Sequence, residues 1–407
     1  MVEKVLQLKC GCNQYSWGRQ GSGSAAARLC SKTPGTDFKI EEDKPYAELW
    51  MGTYPELPSR VLSTGEDLQD VLDRHSDELI GQNVIKKFGH TMLPFLPKVL
   101  SIAKALPLQL HPNKELASKL HEEDPSNFTD PNHKPEIALA LTPFEAFVGF
   151  KPLAQIEPIF ELESLKQFVP SDSSPFTDAT LKKIVHTILS ADGSTIADVQ
   201  SALKSTPANS FKETDSYIPA MVARLQNQYD ETDPGTLVAL LTMNYMRLSA
   251  GEALYIPADG IHAYLSGDII ECMARSNNVL NTGFCPASDR NNVDTFISVL
   301  TFKPHNAQEA LLGSTPFEKA KNGKARIYKP PLSEFNMLSI TLGENETEEV
   351  QALGGPGILV VTDGKGEFEA DGKTHDLEEG FVYFIGQGVE TKFSSKEKLK
   401  TFLAFVE

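Results

Sequence analysis

Apolar residues recur at two different spacings along this chain of 407 residues, and the spacing changes near residue 150 and again near residue 240. From residue 151 to about residue 236 they recur every three or four positions, in runs such as Leu181–Leu189 and Met221–Tyr229. Polar breaks rich in Ser, Pro, Asp and Gly separate these runs. This spacing is typical of amphipathic helices. The pattern therefore predicts an inserted helical domain over residues 151–238.

The segments on either side of the insert contain short apolar runs bounded by turn residues. Ile137–Leu141 lies before the insert, and Ala253–Ile256 and His262–Leu265 follow it. Runs of this length between Gly, Pro and Asp residues are typical of β-strands. They predict β-structure on both sides of the insert, in residues 1–150 and 239–310.

The C-terminal segment, residues 311–407, alternates β-rich runs with glycine turns. Asp363-Gly364 and Asp371-Gly372 are both predicted to be turns between strands. Many short strands separated by turns are typical of jelly-roll barrels. The predicted fold class is therefore mainly β with an α-helical insert, in which two jelly-roll barrels flank a helical domain.

Net charge limits the possible partners of the chain, and cysteine content and hydropathy indicate its cellular compartment. The chain has 38 Lys and Arg against 55 Asp and Glu, a net charge of −17, which argues against nucleic acid and anionic membranes as partners. Five cysteines in a chain this long do not form a disulfide framework. The N-terminal residues lack the apolar stretch of a signal peptide, and no apolar run is long enough to span a membrane. We therefore expect a cytoplasmic protein, and we expect a monomer because no heptad stripe is evident.

Four donor side chains form a candidate metal site. Gln109 and His111 are two residues apart in a predicted strand, so both would point to the same face. Glu136 opens the next strand-like run, and His262 follows a tight turn. Two imidazoles with an amide and a carboxylate suit a divalent ion such as zinc. Spacing alone equally fits hydrogen-bonded core histidines, because nothing in it brings His262 near His111.

Five motifs favour metal ligands over core histidines because they occur together and in order. They are Tyr15-Ser-Trp-Gly18, Pro45–Thr53, Gln109–Lys114, His133-Lys-Pro-Glu136 and Tyr255–Ala274. In these motifs the chain resembles the type I mannose-6-phosphate isomerases, the phosphomannose isomerases of the cupin superfamily.

The resemblance implies a fold, a cofactor and a reaction. The fold would be a double cupin, with a catalytic barrel in two parts (residues 1–150 and 239–310), a helical domain inserted into it and a C-terminal barrel. One zinc ion would be held by Gln109, His111, Glu136 and His262. The substrate would be a small sugar phosphate, and the reaction would interconvert mannose 6-phosphate and fructose 6-phosphate. A proton would move between C2 and C1 through an enediol.

The chain departs from the family after the last metal-ligand block. Asn281 stands at the position of a functional family arginine, and Ala287 stands at the position of a lysine. An arginine supplies a permanent charge and a planar set of donors, which an asparagine lacks. Losing such a positioned electrostatic group costs on the order of 10²–10³ in rate. We therefore expect reduced activity, with Arg290 as a candidate substrate-binding cation in their place.

Two further residues are candidates for the chemistry. Glu271 could transfer the proton, although simple alternation would place it on the opposite face from His262 unless a bulge intervenes. The alternative is an ordinary paired or solvated carboxylate. Lys134 could bind phosphate or tune the metal site, or it could be a surface lysine. Asn281 is the third candidate catalytic residue, because it stands at the position of the functional family arginine.

Two other functions remain open at this stage. The chain could be a divergent metal cupin that acts on another, non-phosphorylated sugar, because Asn281 and Ala287 remove charge where an anion would bind. It could also be a metal-containing cupin with a non-catalytic binding role. Retention of all four metal-ligand candidates argues more strongly against the second possibility than against the first.

Overall fold

β-Strands dominate the computed structural model, which describes residues 2–407. The strands are β1 (Val5–Lys9), β2 (Gly11–Asn13), β3 (Arg19–Gln20), β4 (Pro45–Tyr46), β5 (Glu48–Trp50), β6 (Arg60–Val61), β7 (Phe95–Ile102), β8 (Leu108–Leu110), β9 (Glu136–Ala140), β10 (Phe144–Phe150), β11 (Met243–Leu248), β12 (Ala253–Ile256), β13 (His262–Ala274), β14 (Leu280–Gly283), β15 (Ser314–Pro316), β16 (Ala325–Tyr328), β17 (Asn336–Leu342), β18 (Thr347–Val350), β19 (Gly357–Ala370), β20 (Lys373–Glu378), β21 (Val382–Ile385), β22 (Thr391–Ser394) and β23 (Leu399–Phe405).

The helices fall into an N-terminal group, an inserted group and one late helix. They are α1 (Ala25–Ser31), α2 (Leu68–Arg74), α3 (Ser76–Leu79), α4 (Gln82–Phe88), α5 (Lys114–Glu123), α6 (Leu153–Ile156), α7 (Asp178–Ser190), α8 (Gly193–Ser205), α9 (Ile218–Gln226), α10 (Pro234–Thr242) and α11 (Val293–Val299). Among residues 2–407, none of these helices combines the length and the apolar character needed to cross a bilayer.

The first barrel is organised around β13, its longest strand. This strand pairs with β7, β8, β9 and β10, so it contributes to both walls of the ten-stranded sheet. The chain leaves this sheet after β10 and returns to it at β11, which pairs with β10. Helices α6 to α10 lie between those two strands, as an insert must.

Local sequence signals explain where the inserted helices begin. Thr177 caps α7 through a reciprocal side-chain box with Thr180, and the Asp192 carboxylate accepts from the Thr195 amide at the start of α8. The inward faces of these helices form one apolar core with β8 and β10. The predicted fold class, mainly β with an α-helical insert, is confirmed.

The second barrel contains strands from both ends of the chain. Its eleven-stranded sheet comprises β15 to β23 together with β1 and β6. Val5 pairs with Ile385 and Leu8 pairs with Val382, so the N-terminal strand belongs to the sheet of the C-terminal barrel. The sequence-based domain bounds, with divisions at 150, 238 and 310, remain a prediction. The sheets show that the first 61 residues contribute to both barrels.

One predicted turn is wrong. Asp371-Gly372 does connect β19 to β20, but Asp363-Gly364 lies inside β19, which continues without interruption from Gly357 to Ala370. The register against β23 shifts between Val361 and Asp363, so this segment is a β-bulge. Gly364 has a φ of +79°, and a Cβ there would lie 2.1 Å from a neighbouring carbonyl oxygen. The same Asp-Gly signal therefore serves a bulge at one position and a turn at the other.

Candidate metal centre

Strand pairing brings the first two candidate ligands together. Gln109 in β8 lies directly opposite His262, the first residue of β13. Residues that are paired across a ladder point to the same face, so both side chains face the same side of the sheet. The strand ends at Leu110, and His111 follows just before Pro112, which cannot extend the ladder.

Glu136 completes the cluster from the neighbouring strands. It opens β9, where it pairs with Ile256 of β12 and Met273 of β13. Its Oε1 lies 3.4 Å from the Nε2 of His111, and its Oε2 lies 3.6 Å from the Nε2 of His262. Candidate ligand atoms from these three buried residues all lie within 4.8 Å of one another.

The orientation of both imidazoles is set by backbone carbonyls. The Nδ1 of His111 lies 2.7 Å from the carbonyl oxygen of Asn278, and the Nδ1 of His262 lies 2.9 Å from that of Gly260. Each Nδ1 therefore donates its hydrogen to a carbonyl, which leaves the lone pair on Nε2. Both Nε2 atoms are buried and have no hydrogen-bond partner. Metal-binding histidines usually show this arrangement, with one nitrogen fixed by a carbonyl and the other free.

Burial keeps the two imidazoles neutral. It lowers the pKa of His111 to about 4 and also lowers the pKa of His262. Burial alone would raise the pKa of Glu136, but His111 and Lys134 outweigh it and hold that pKa well below its usual range. At neutral pH the cluster is thus two neutral imidazoles and one carboxylate, which is the protonation state that a divalent cation requires.

Lys134 is close to the cluster and is not a surface lysine. Its Nζ lies 3.7 Å from the Oε1 of Glu136, and its side chain is 13% exposed. The backbone places it directly before Pro135 and Glu136, at the start of β9. Its charge is therefore available beside the carboxylate of the candidate metal site.

Glu271 faces the same barrel interior as His262 because a bulge intervenes. Glu145 and Ala146 are adjacent in β10, yet they pair with Ser266 and Tyr264, which are two residues apart in β13. Because of the extra residue, every later side chain of β13 points to the opposite face of the sheet from the one that simple alternation gives. Glu271 consequently pairs with Ala138, two positions along β9 from Glu136. Simple alternation of the sequence had indicated the opposite face.

Glu271 belongs to a buried charge network that the sequence reasoning missed. Its Oε2 lies 3.1 Å from the Nζ of Lys98, which is also 3.8 Å from Glu48 and lies over the ring of Trp50. Burial raises the pKa of Glu271 to about 7, although Lys98 opposes the shift. The available signal was Lys98 itself, the one charged residue in β7, whose eight residues are all buried.

Asn281 lies beside the candidate ligands, but it leaves a polar atom without a partner. It pairs with Gln109 across β14 and β8, and its side-chain Oδ1 is buried without a hydrogen bond. An asparagine therefore occupies this position next to the metal cluster, and its side chain carries no formal charge.

Ala287 and Arg290, which follow β14 in the chain, line an open cleft of about 590 Å³. Ala287 is exposed there, and the Arg290 guanidinium donates to the Asp233 carboxylate at 3.0 Å and to the Cys285 carbonyl at 3.1 Å. The other walls include Tyr15, Trp17, Lys104 and Tyr229. Arg290 is therefore in the cleft, but its charge is already paired with Asp233.

Fold and site together define the class of protein: a double β-barrel with an inserted helical domain and a buried His-Glu-His centre in its first barrel. Residues 5–153 match the family model for the phosphomannose isomerase type I catalytic domain. The chain is 39% identical to the mannose-6-phosphate isomerase of Candida glabrata, over 100% of this chain and 99% of that protein. It is 37% identical to the Saccharomyces cerevisiae enzyme over the full length of both.

A solved structure agrees with these relatives. The mannose 6-phosphate isomerase of Salmonella typhimurium, bound to fructose 6-phosphate and zinc, superposes with a TM-score of 0.83 at 26% identity and covers 100% of both chains. The chain therefore belongs to the type I mannose-6-phosphate isomerase family.

Proposed function

We propose that this chain is a zinc-dependent aldose–ketose isomerase that interconverts mannose 6-phosphate and fructose 6-phosphate. The observation that carries the proposal is the pair of buried, unpartnered Nε2 atoms directed at the Glu136 carboxylate. Family membership and the substrate and metal named for the Salmonella typhimurium relative support it.

The zinc ion would be held by Gln109, His111, Glu136 and His262. Nitrogen and oxygen donors without a thiolate suit a catalytic zinc that keeps a position open for a substrate oxygen. When bound, the ion would orient the substrate oxygens and stabilise negative charge that develops on them.

Glu271 is our candidate for moving the proton. With a pKa raised to about 7, its carboxylate can both accept and return a proton near neutral pH. It would accept the proton from C2 of the open-chain aldose and deliver it to C1, while a proton moves from O2 to O1. Lys98 holds this carboxylate from one side. Lys134 would place a positive charge near the enediolate oxygens.

A specific observation favours a second candidate function, isomerisation of a non-phosphorylated sugar. The charged residues that line the cleft are two cations, Lys104 and Arg290, and three carboxylates, Asp230, Asp233 and Asp289, a net charge of −1. This balance opposes an anionic substrate. Asn281 and Ala287 supply no compensating charge, so the roles of Asn281 in catalysis and of Arg290 in substrate binding remain predictions.

Two further expectations belong to this proposal. We propose that the protein works in the cytoplasm on a small-molecule sugar phosphate, without nucleic acid or membrane partners. We also propose that it acts as a monomer, since all the candidate site residues lie on one chain.

A coupled assay on zinc-loaded and metal-stripped protein tests the function. We expect conversion of mannose 6-phosphate that disappears with the metal and returns when zinc is restored. The same assay with mannose addresses the second candidate. Conversion of mannose without conversion of mannose 6-phosphate would overturn the main proposal in favour of the neutral sugar, and no conversion of either would overturn both.

A further inference from the structure

His133 opens the motif that supplies Lys134 and Glu136, but its own side chain points away from the metal cluster towards the second barrel. Its Nε2 lies 2.6 Å from the Oε1 of Glu334, whose side chain is 8% exposed. Glu334 lies in the loop between β16 and β17 of the C-terminal barrel. The other carboxylate oxygen of Glu334 accepts from the Ser333 amide at 3.0 Å, so the carboxylate is fixed within its own loop.

The segment after His133 is stiff and leads directly to a candidate ligand. Pro135 has a restricted φ, and its carbonyl accepts from the Ala274 amide at 3.0 Å. Glu136 is the next residue. A displacement of His133 would therefore reach the Glu136 carboxylate through a short backbone segment with little freedom to absorb it.

The residue before His133 leads to a second candidate ligand. The Asn132 side chain donates to the Arg275 carbonyl at 2.8 Å, and the Asn132 carbonyl accepts from the Asn278 side chain at 3.1 Å. The Asn278 carbonyl in turn accepts from the Nδ1 of His111 at 2.7 Å. His133, which Glu334 holds in place, therefore lies between two chains of contacts. One chain ends at Glu136 and the other ends at His111.

We propose that Glu334 is a positioning residue, through which the C-terminal barrel sets the metal centre of the first barrel. It acts by holding His133, and thereby the segment 130–136, in the conformation that directs Glu136 and His111 at the same point. This inference rests on the proposed metal site. Because Glu334 is not one of the candidate ligands and does not line the cleft, its effect would be on metal retention and not on the chemical step.

A purely structural role for the His133–Glu334 contact makes a different prediction, and the chain offers a matched control. The Tyr328 hydroxyl donates to the Gly251 carbonyl at 2.6 Å, which also joins the second barrel to the first. Tyr328→Phe removes that contact without touching segment 130–136. If Glu334 merely joins the barrels, the two variants should behave alike.

The experiment compares the full-length wild type with Glu334→Gln, His133→Gln, their double variant and Tyr328→Phe. Hydrogen–deuterium exchange of residues 130–136 is measured in metal-free protein, and the zinc dissociation constant is measured by chelator competition. Residues that orient metal ligands typically contribute 10–100-fold to metal affinity. For Glu334→Gln we expect faster exchange and about 10-fold weaker zinc binding. The double variant should be no weaker than either single variant, because both single changes break one contact.

Tyr328→Phe should leave exchange of 130–136 unchanged and zinc affinity within about twofold. Unchanged exchange and affinity in Glu334→Gln, or equal changes in Tyr328→Phe, would overturn the inference. If the wild type itself binds no zinc, the proposed metal site fails, and the exchange measurement on metal-free protein still decides whether Glu334 holds the segment.

Discussion

The two barrels share an architecture but differ in what fills them. The first barrel has a cluster of ionisable side chains in its interior: Glu48, Lys98, His111, Glu136, His262 and Glu271, all at most 7% exposed. The second is filled by an apolar cluster: Leu338, Ile340, Leu359, Phe368, Phe393, Leu403 and others. Burying charge is costly unless it is paired or bound to a metal. The contrast therefore locates the chemistry in the first barrel and indicates that the second contributes stability and positioning.

A buried carboxylate alone does not make this distinction. Glu348 in the second barrel is fully buried, yet it accepts from the backbone amides of Asn322 at 2.7 Å, Glu349 at 2.9 Å and Ala325 at 3.1 Å. All its hydrogen-bonding capacity is used within the fold. The second barrel also has buried polar atoms without a hydrogen bond, among them the Nε2 of His375. What sets the first barrel apart, among residues 2–407, is that two such atoms, the Nε2 atoms of His111 and His262, both lie within 3.6 Å of the Glu136 carboxylate.

Glu136→Gln should have the largest effect, because it removes the charge that would balance the cation between the two imidazoles. A bound metal supplies several kcal/mol of transition-state stabilisation. We expect loss of stoichiometric zinc and a fall in kcat/KM of about 10³-fold or more, measured by metal analysis and a coupled assay. Full zinc content and activity in this variant would contradict the assignment.

Leu403→Ala makes the complementary change in the second barrel. Leu403 is 1% exposed and pairs with both Leu338 and Leu359. A buried Leu→Ala change costs about 2–5 kcal/mol. We expect a drop of that size in the free energy of unfolding of this barrel in urea, with zinc content per folded chain unchanged. A loss of zinc from the folded variant would contradict the conclusion that the apolar core of the second barrel contributes stability and not metal binding.

Glu271→Gln should lower kcat by about 10²-fold, the scale of a lost general base, while zinc content stays within about twofold of wild type. The sign of the pH dependence follows from the raised pKa of about 7. Wild-type activity should fall as the pH drops below that value, because the carboxylate takes up a proton. The variant should lose this acidic limb in a pH–rate profile, and an unchanged profile would exclude Glu271 as the proton carrier.

The double variant Asn281→Arg, Ala287→Lys should have the smallest effect. Ala287→Lys adds one positive charge to the cleft, which takes its net charge from −1 to 0, and Asn281→Arg adds a second beside the candidate ligand Gln109. We expect kcat/KM for mannose 6-phosphate to rise about 10-fold, which corresponds to about 1.4 kcal/mol. Ala208→Lys with Asn209→Arg adds the same charges at exposed positions of the helical insert and should change nothing. Activity that appears only in the cleft variant would mean that the natural chain is not a mannose-6-phosphate isomerase.

Much of the candidate site could be predicted from the sequence because it lies in local motifs. Gln109 and His111 are two residues apart, the spacing that places both side chains on one face of an extended segment, and Glu136 opens a recognisable apolar run. Bringing His262 to Gln109 depends on long-range pairing of β8 with β13, which no local spacing encodes. Family resemblance, not periodicity, supplied that step.

What the sequence did not reveal depends on register and bulges. The bulge in β13 carries Glu271 to the metal-site face. Gly267, which lies beside the bulge with a φ of +123°, was the local signal available, but a glycine inside a strand does not by itself fix the register. Lys98 and Glu48 meet only because β5 and β7 pair alongside β13. Asp363-Gly364 gave the signal of a turn but formed a bulge within a continuous strand. Each of these depends on which strands lie side by side, a property of the assembled barrel.

An anomalous diffraction map at the zinc absorption edge, from crystals of the zinc-loaded protein, tests directly whether the four candidate ligands bind one ion. We predict a single strong peak about 2.0–2.2 Å from the Nε2 atoms of His111 and His262 and from side-chain oxygens of Glu136 and Gln109. A peak elsewhere, or no peak with both imidazoles in their present orientation, would contradict this prediction.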